Sequence, residues 1–334
     1  MNTHKKPNPE QAILVEVDEN SEDQRVDNFL VKICKGVPKS HIFRIIRSGE
    51  IRVNKKRVDA STKLQLGDVV RIPPIKTNAP ASLEEANPAR KSLNTLNAIK
   101  QAADIPVVFE DDDILVVNKP SGMAVHGGSG ESFGVIECIR EARSALNQTL
   151  ELVHRIDRET SGLLIISKKR SALRKLQEQL RNRVWKKFYY TLVLGDWPKA
   201  LKQVDLPLLK IQTSEKEQRV FVDPKGDKAC SIFTIKQRLA GINSSYTLLQ
   251  VQILTGRTHQ IRVHSSANSH PIAGDDRYGD FEQNKILAKS GLKRMFLHAA
   301  RVQIIHPKTD EPMWLEAPLA GDLQFFLNSL EVKS

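Results

Sequence analysis

The chain has 334 residues, 40% of them hydrophobic, a globular rather than a disordered composition. Its start, Met1-Asn2-Thr3-His4-Lys5-Lys6-Pro7, has no apolar core and reads as no secretory leader, and no uncharged apolar run is long enough to span a membrane. Lys and Arg number 51 against 39 Asp and Glu, and the net +12 favours a polyanionic partner, nucleic acid before an anionic membrane. Three scattered cysteines, Cys34, Cys138 and Cys230, fit a reducing cytoplasm, with no disulfide framework and no zinc knuckle.

Residues 1–22 are polar, turn acidic toward their end, and read as a flexible N-terminal arm. A compact basic module is expected over 23–76. Val26, Phe29, Leu30 and Ile33 recur at helical spacing, and Gly36 and Pro38 end that helix. Ser40 can cap a second helix carrying Ile42, Ile45 and Ile46, which Gly49 closes. Ile51-Arg52-Val53 alternates as a strand, Asn54-Lys55-Lys56 turns, and Arg57-Val58 continues. Gly67-Asp68 turns again before the strand Val69-Val70-Arg71-Ile72. Residues 24–75 hold twelve Lys and Arg against four Asp and Glu, so +8 of the chain's +12 falls here. Arg44, Arg47, Arg52, Lys55, Lys56 and Arg57 cluster at the second helix and the hairpin. A charge run is usually a solvated face; this concentration on a small folded unit favours RNA contact.

Residues 77–103 mix Pro, Ala, Asn, Glu and Lys and read as a linker with a short helix around 93–103. A larger domain is expected over 104–334. Val107–Phe109 and Ile114–Val117 read as strands around an acidic turn, helices follow near 132–144 and over 171–182, and several β-rich segments come after. Gly127-Gly128-Ser129-Gly130 lacks the Lys-Ser/Thr of a phosphate-binding loop and reads as a flexible loop. The fold class is α+β, with a mixed, mostly antiparallel sheet.

The stretch His154–Gly162 sets Asp157 between Arg155 and Arg158, just ahead of the apolar run Leu163-Leu164-Ile165-Ile166. A guanidinium beside a carboxylate favours the ionised form, so Asp157 could be a nucleophile, a base or an ordinary ion pair. Arginines also suit phosphates and base edges, which makes Arg155 and Arg158 candidates for RNA contact. Thr255–His264, read as a strand, puts Gln260, Arg262 and His264 on one face and His259, Ile261 and Val263 on the other. A buried Arg262 needs a carboxylate, for which Asp157 is the natural candidate; the alternative is an ordinary exposed strand. Tyr189 could stack on a base or belong to the core, and His298 reads as structural. The nine histidines show no metal-ligand spacing, so no metal is expected, and there is no P-loop and no GxGxxG.

Taken in order, these motifs resemble those of the RluA family of pseudouridine synthases. The resemblance is carried by Lys119-Pro120-Ser121-Gly122, His154–Gly162, Lys187…Tyr189…Gly195, Gly256–His264 and Pro271–Gly279. Ile156, Glu159 and Ile261 depart mildly from the commoner Leu, Asp and Leu. Arg25-Val26-Asp27…Pro38-Lys39-Ser40…Val53-Asn54…Gly67-Asp68 resembles an S4 RNA-binding domain. The resemblance implies a pseudouridine synthase fold and a cofactor-free conversion of uridine to pseudouridine in 23S ribosomal RNA, free or in the assembling large subunit. It implies Asp157 as the essential carboxylate, attacking ribose C1′ or uracil C6 or abstracting a ribose proton. It puts Arg155 in the space left by a flipped base and places Tyr189 beside that base, while Arg262 as partner would keep Asp157 ionised. A cytoplasmic monomer is expected. A non-catalytic RNA-binding factor would account for the basic module equally well but leaves Asp157 and Arg262 without a purpose.

Overall fold

The computed structural model describes residues 11–18, 21–34, 36–75, 88–127, 133–146, 148–212, 218–241 and 244–333. They divide into two compact units, one of Met1–Leu96 with Lys169–Ser171, the other of Asn97–Lys168 with Ala172–Ser334. The division falls inside the helix Pro88–Ala103, which starts earlier than the spacing of its apolar residues suggests. Residues 1–10, residues 77–87 of the linker and Gly128–Gly130 of the glycine-rich stretch lie outside the described residues.

In the first unit a four-stranded antiparallel sheet runs in the order Ile13–Glu16, Val69–Ile72, Arg52–Val53, Lys56–Arg57. Its first strand, inside the span 1–22 expected to be a flexible arm, departs from that expectation at Ile13–Glu16. Ile13 and Val15 alternate inward, pair with Ile72 and Val70, and join the buried core with Val17. The polar surroundings hide this period of two, which is the signature of a half-buried strand. The helices Val26–Ile33 and Lys39–Arg47 close the core through Val26, Phe29, Leu30, Ile42, Ile45 and Ile46. The second helix begins at Lys39 behind Pro38, so Ser40 lies within it rather than capping it. The hairpin turns through Asn54 and Lys55, both at positive φ, as a tight two-residue connection requires.

The second unit is built on an eleven-stranded sheet. The main path runs Gln203–Asp205, Cys230–Ala240, Ser245–Ile253, Lys186–Leu194, Leu297–Ile305, Ser161–Ser167, Ile114–Lys119, Val107–Glu110. Neighbours on this path are antiparallel except for Leu297–Ile305 and Ser161–Ser167, which run parallel. All seven residues of Ser161–Ser167 are buried. Leu164 and Ile166 pack into one apolar cluster and Leu163 and Ile165 into another, so both faces of this strand are covered. That double burial is why the run reads as continuously apolar. Gly162, at φ +110, lies so close to Ala299 that a Cβ would strike its backbone carbonyl. The segment just upstream of this strand is therefore delivered to a fixed place.

Candidate active site

Asp157 lies in the loop that enters Ser161–Ser167. The backbone N–H of Thr160 donates to the Asp157 carbonyl at 3.1 Å, which closes a turn. The loop is tied to the turn that follows Ile114–Lys119. Gly122 N–H donates to Arg158 O at 2.9 Å, Arg158 Nε donates back to Gly122 O at 2.8 Å, and Ser121 Oγ donates to Glu159 O at 2.7 Å. The fully buried Lys119 Nζ donates to the carbonyls of Pro120, Met123 and Arg158 at 2.7–2.9 Å. Burial pulls its pKa down to about 7, against the opposing charge of Glu159. Arg158, expected to touch RNA, thus spends one guanidinium N–H on the loop itself.

Asp157, Arg155, Tyr189 and Arg262 line one cavity of about 500 Å³. The four residues singled out from distant parts of the sequence come together there. The Asp157 side chain is 24% exposed, and Arg155 stands exposed. Burial, reinforced by the charge of Asp157, raises the Tyr189 phenol above its ordinary range and keeps it neutral. His154 accepts a hydrogen bond from Ile165 N–H at 3.0 Å and packs edge-on against Trp185. Its desolvation, with the nearby Lys187 charge, lowers its pKa to about 3. Burial also lowers the pKa of Lys187.

Two expectations about Arg262 are corrected. The segment around it is a helix, Gln260–Ala267, not a strand. Gln260 starts that helix by accepting from Thr255 Oγ1 at 2.7 Å and Arg257 N–H at 3.1 Å, while its amide donates to Cys230 O and Ser231 Oγ. Polar and apolar residues alternate because this helix is buried on several sides, with Ile261 and Val263 in separate clusters. Alternation over so short a run does not distinguish that case from a strand. Second, the carboxylate partner of Arg262 is Asp275, not Asp157. Arg262 Nε and Nη2 donate to Asp275 at 2.7 and 2.6 Å, with the Arg262 side chain 4% exposed and that of Asp275 fully buried. Asp275 Oδ1 also accepts the backbone N–H groups of Arg277 and Tyr278, so its loop presets it for this pairing. Asp157 acts on Arg262 only through its longer-range charge.

Sequence reasoning missed His259, Tyr278, Asp275 and Lys187. His259 and Tyr278 hydrogen-bond to each other beside Asp157, and Lys187 lines the cavity. The Asp275-Asp276 pair was the available signal, since a buried arginine must find an acid and two lie in one loop. His298 is buried and bonded to Ser161 Oγ, as a structural histidine should be. Of the six basic residues in the first unit, Arg52 is half-buried and the rest are exposed. Arg47, Arg52 and Arg57 donate to the carbonyls of Phe43, Lys55 and Ser48. Among the described residues no group of three or more His, Cys, Asp or Glu is placed to hold a metal ion, and no helix is long and apolar enough to cross a membrane.

Comparison with known proteins identifies two families along the chain. The sequence profile of the RNA pseudouridylate synthase family matches residues 113–267, and that of the S4 domain matches 24–70. The chain is 48% identical to the ribosomal large subunit pseudouridine synthase C of Vibrio vulnificus (strain CMCP6), covering 95% of this chain and 96% of that one. Against the protein of the same name from Salmonella typhimurium (strain LT2) it is 50% identical, over 92% of this chain and 93% of the other. Among solved structures, human RNA Pseudouridylate Synthase Domain Containing 4 superposes with a TM-score of 0.57 at 22% identity, over 72% of this chain and 99% of that one, a likeness of fold. With near-half identity along almost its whole length, and with both domain profiles in place, the chain belongs to the RluA-type pseudouridine synthases that carry an S4 domain.

Proposed function

We propose that the protein isomerises uridine to pseudouridine in 23S ribosomal RNA, with Asp157 as the reacting carboxylate and without a cofactor. The observation that carries this reading is the convergence of Asp157, Arg155, Tyr189 and Arg262 on one cavity. Its substrate class is supported by near-half identity to bacterial proteins named for the large ribosomal subunit. The same likeness supports a cytoplasmic site of action.

The target uridine must leave its stack, at a cost of about a few kcal/mol. Arg155, exposed at the cavity, is suited to fill the space left behind. Tyr189, neutral and half-buried, offers a ring face to the uracil. The N1–C1′ bond then breaks, the uracil turns, and C5 bonds to C1′ while the C5 proton departs and N1 gains one. Atoms and electrons balance within the nucleotide, so acid–base and nucleophilic groups suffice. Asp157 attacks C1′ or C6, or takes a ribose proton; each role needs its charged form. Arg262, committed to Asp275, lends positive potential without occupying the oxygens of Asp157. That is a revision of the expected pair, and it leaves the carboxylate free to react.

The test follows tritium. When 23S RNA carrying 5-tritiated uridine is incubated with the full chain, formation of the C5–C1′ bond is expected to release the label to water. Absence of release from any large-subunit RNA, free or assembling, would overturn the reading.

The first unit's role is tested separately. Replacing Arg44, Arg47 and Lys55 by Ala is expected to weaken RNA binding and to reduce the slope of log affinity against log salt by about 0.7–0.9 for each phosphate no longer neutralised. An unchanged slope would remove these residues from the RNA interface.

A further inference from the structure

Among the described residues, the group within ion-pair reach of Asp157 is a histidine rather than an arginine. His259 Nε2 lies 4.0 Å from Asp157 Oδ2. His259 immediately precedes Gln260–Ala267 and has φ 54, the left-handed region that a histidine enters at a cost. Its other ring nitrogen, Nδ1, lies 2.8 Å from the Tyr278 hydroxyl. That hydroxyl accepts the backbone N–H of Val220 at 3.1 Å. With Val220 donating to its oxygen, Tyr278 has its own proton to give, and Nδ1 is the acceptor it faces. Donation to Nδ1 leaves the ring proton on Nε2, toward Asp157.

We propose that Tyr278 fixes His259 as its neutral Nε2–H tautomer, and that this N–H is a positioning donor that orients the Asp157 carboxylate for reaction. The proposal rests on the reading of Asp157 as the reacting group. In the reacting complex one carboxylate oxygen would accept the His259 N–H and the other would be left for the uridine. The 4.0 Å separation is longer than a hydrogen bond, so the proposal requires it to shorten when substrate fills the cavity, as catalytic contacts commonly do.

The surroundings support a neutral ring. Asp157 faces His259 from the loop before Ser161–Ser167, Arg262 from its own helix, and Asp275, Arg277 and Tyr278 from the loop beyond. Desolvation is the largest influence and lowers its pKa to about 4; Asp157 and Asp275 oppose it, while Arg262 and Arg277 reinforce it. A neutral N–H orients a carboxylate without cancelling its charge, whereas an imidazolium would hold it in an ion pair. Tyr278 is itself braced. Its ring lies under the Arg262 guanidinium, 5.1 Å from centroid to Cζ, and packs against Leu208, Val220, Ala229 and Val263. The site's orientation is thereby tied to the hairpin of Leu208–Gln212 and Gln218–Val222.

The test uses the full-length protein, tritiated 23S RNA, and folding checked by circular dichroism. Tyr278→Phe keeps the ring and removes the hydroxyl. It is expected to lower kcat about tenfold, the rate equivalent of one hydrogen bond, with KM for RNA unchanged. Without a donor to Nδ1 the ring protonates more readily, so the acid limb of the rate profile should move to higher pH. His259→Gln places an N–H at the ε position and should keep most of the rate, whereas His259→Asn, with its amide at the δ position, should lose it. Wild-type kcat and pH profile in Tyr278→Phe, or equal rates in the Gln and Asn variants, would overturn the proposal. If both histidine variants fail to fold, Tyr278→Phe alone decides. Failure of the underlying reading looks different: Asp157→Asn would then turn over like the wild type.

Discussion

Asp157→Asn is expected to abolish pseudouridine formation while leaving RNA affinity and thermal stability unchanged. The loss should be roughly 10⁴-fold or more, the scale seen when a reacting side chain is removed from an otherwise intact site. The turn that presents Asp157 is closed by its backbone carbonyl, and among the described residues its carboxylate accepts no hydrogen bond, so an isosteric amide should not disturb the loop. What disappears is charge. An amide is neither nucleophile nor base, and each of the three roles open to Asp157 fails alike. The substitution should also let the Tyr189 phenol ionise at lower pH, since Asp157 helps to raise it. Tritium release, filter binding to 23S RNA and a melting curve check the three parts together. An Asn variant that still isomerises uridine would assign the chemistry elsewhere.

Arg262→Met is expected to cost about 3–5 kcal/mol of stability, because it strands a fully buried carboxylate. In the intact protein burial alone would raise the pKa of Asp275, but the Arg262 guanidinium and two backbone N–H groups outweigh it and hold the group below the ordinary carboxylate range. A folded-state pKa below the unfolded one means that the stabilisation is complete above the unfolded value, near ~3.9, and is lost as pH falls through the folded value. In Arg262→Met desolvation dominates, the shift reverses, and the carboxylate opposes folding at neutral pH. Relative to the wild type, the variant should therefore gain stability on acidification through the range above ~4, where the paired Asp275 contributes a constant amount and a buried neutral histidine such as His154 affects both proteins alike. Urea titrations at several pH values distinguish the two slopes. A double variant, Arg262→Met with Asp275→Leu, should recover part of the loss, since replacing both partners of a buried pair by apolar groups leaves no charge stranded. If the single variant melts as the wild type does, the buried pair contributes no such stability.

The sequence made some of this visible and hid the rest for identifiable reasons. Ser161–Ser167 was legible because a strand covered on both faces must be apolar throughout. The helix Val26–Ile33 was legible because its apolar residues follow one stripe. Ile13–Glu16 was not, since four alternating residues within a polar segment carry too little hydrophobic signal against their surroundings. Gln260–Ala267 was misread because its buried polar residues are satisfied by specific partners rather than by one wet face, so alternation mimicked a strand. The Arg262–Asp275 pair was hidden for a related reason. Charge argues that a buried arginine needs an acid, but which acid it meets is decided by the loop that follows the helix. His259 was the hardest to foresee. Its role comes from a left-handed backbone and from Tyr278 nineteen positions on, neither of which is a property of residue type.

The place of Leu297–Ile305 in the sheet has a consequence for synthesis. It lies between Lys186–Leu194 and Ser161–Ser167, yet it is among the last strands to leave the ribosome. Until it emerges, Ser161–Ser167 lacks one of its two long neighbours, and Gly162 has no Ala299 to close against. The N-terminal unit can fold well before that point, as domains do in order of synthesis. A message cut short before codon 297 would therefore yield the basic first unit together with a second unit whose sheet lacks the strand between Lys186–Leu194 and Ser161–Ser167. Completion of the chain is thus a condition for seating Ser161–Ser167, and with it the loop that carries Asp157.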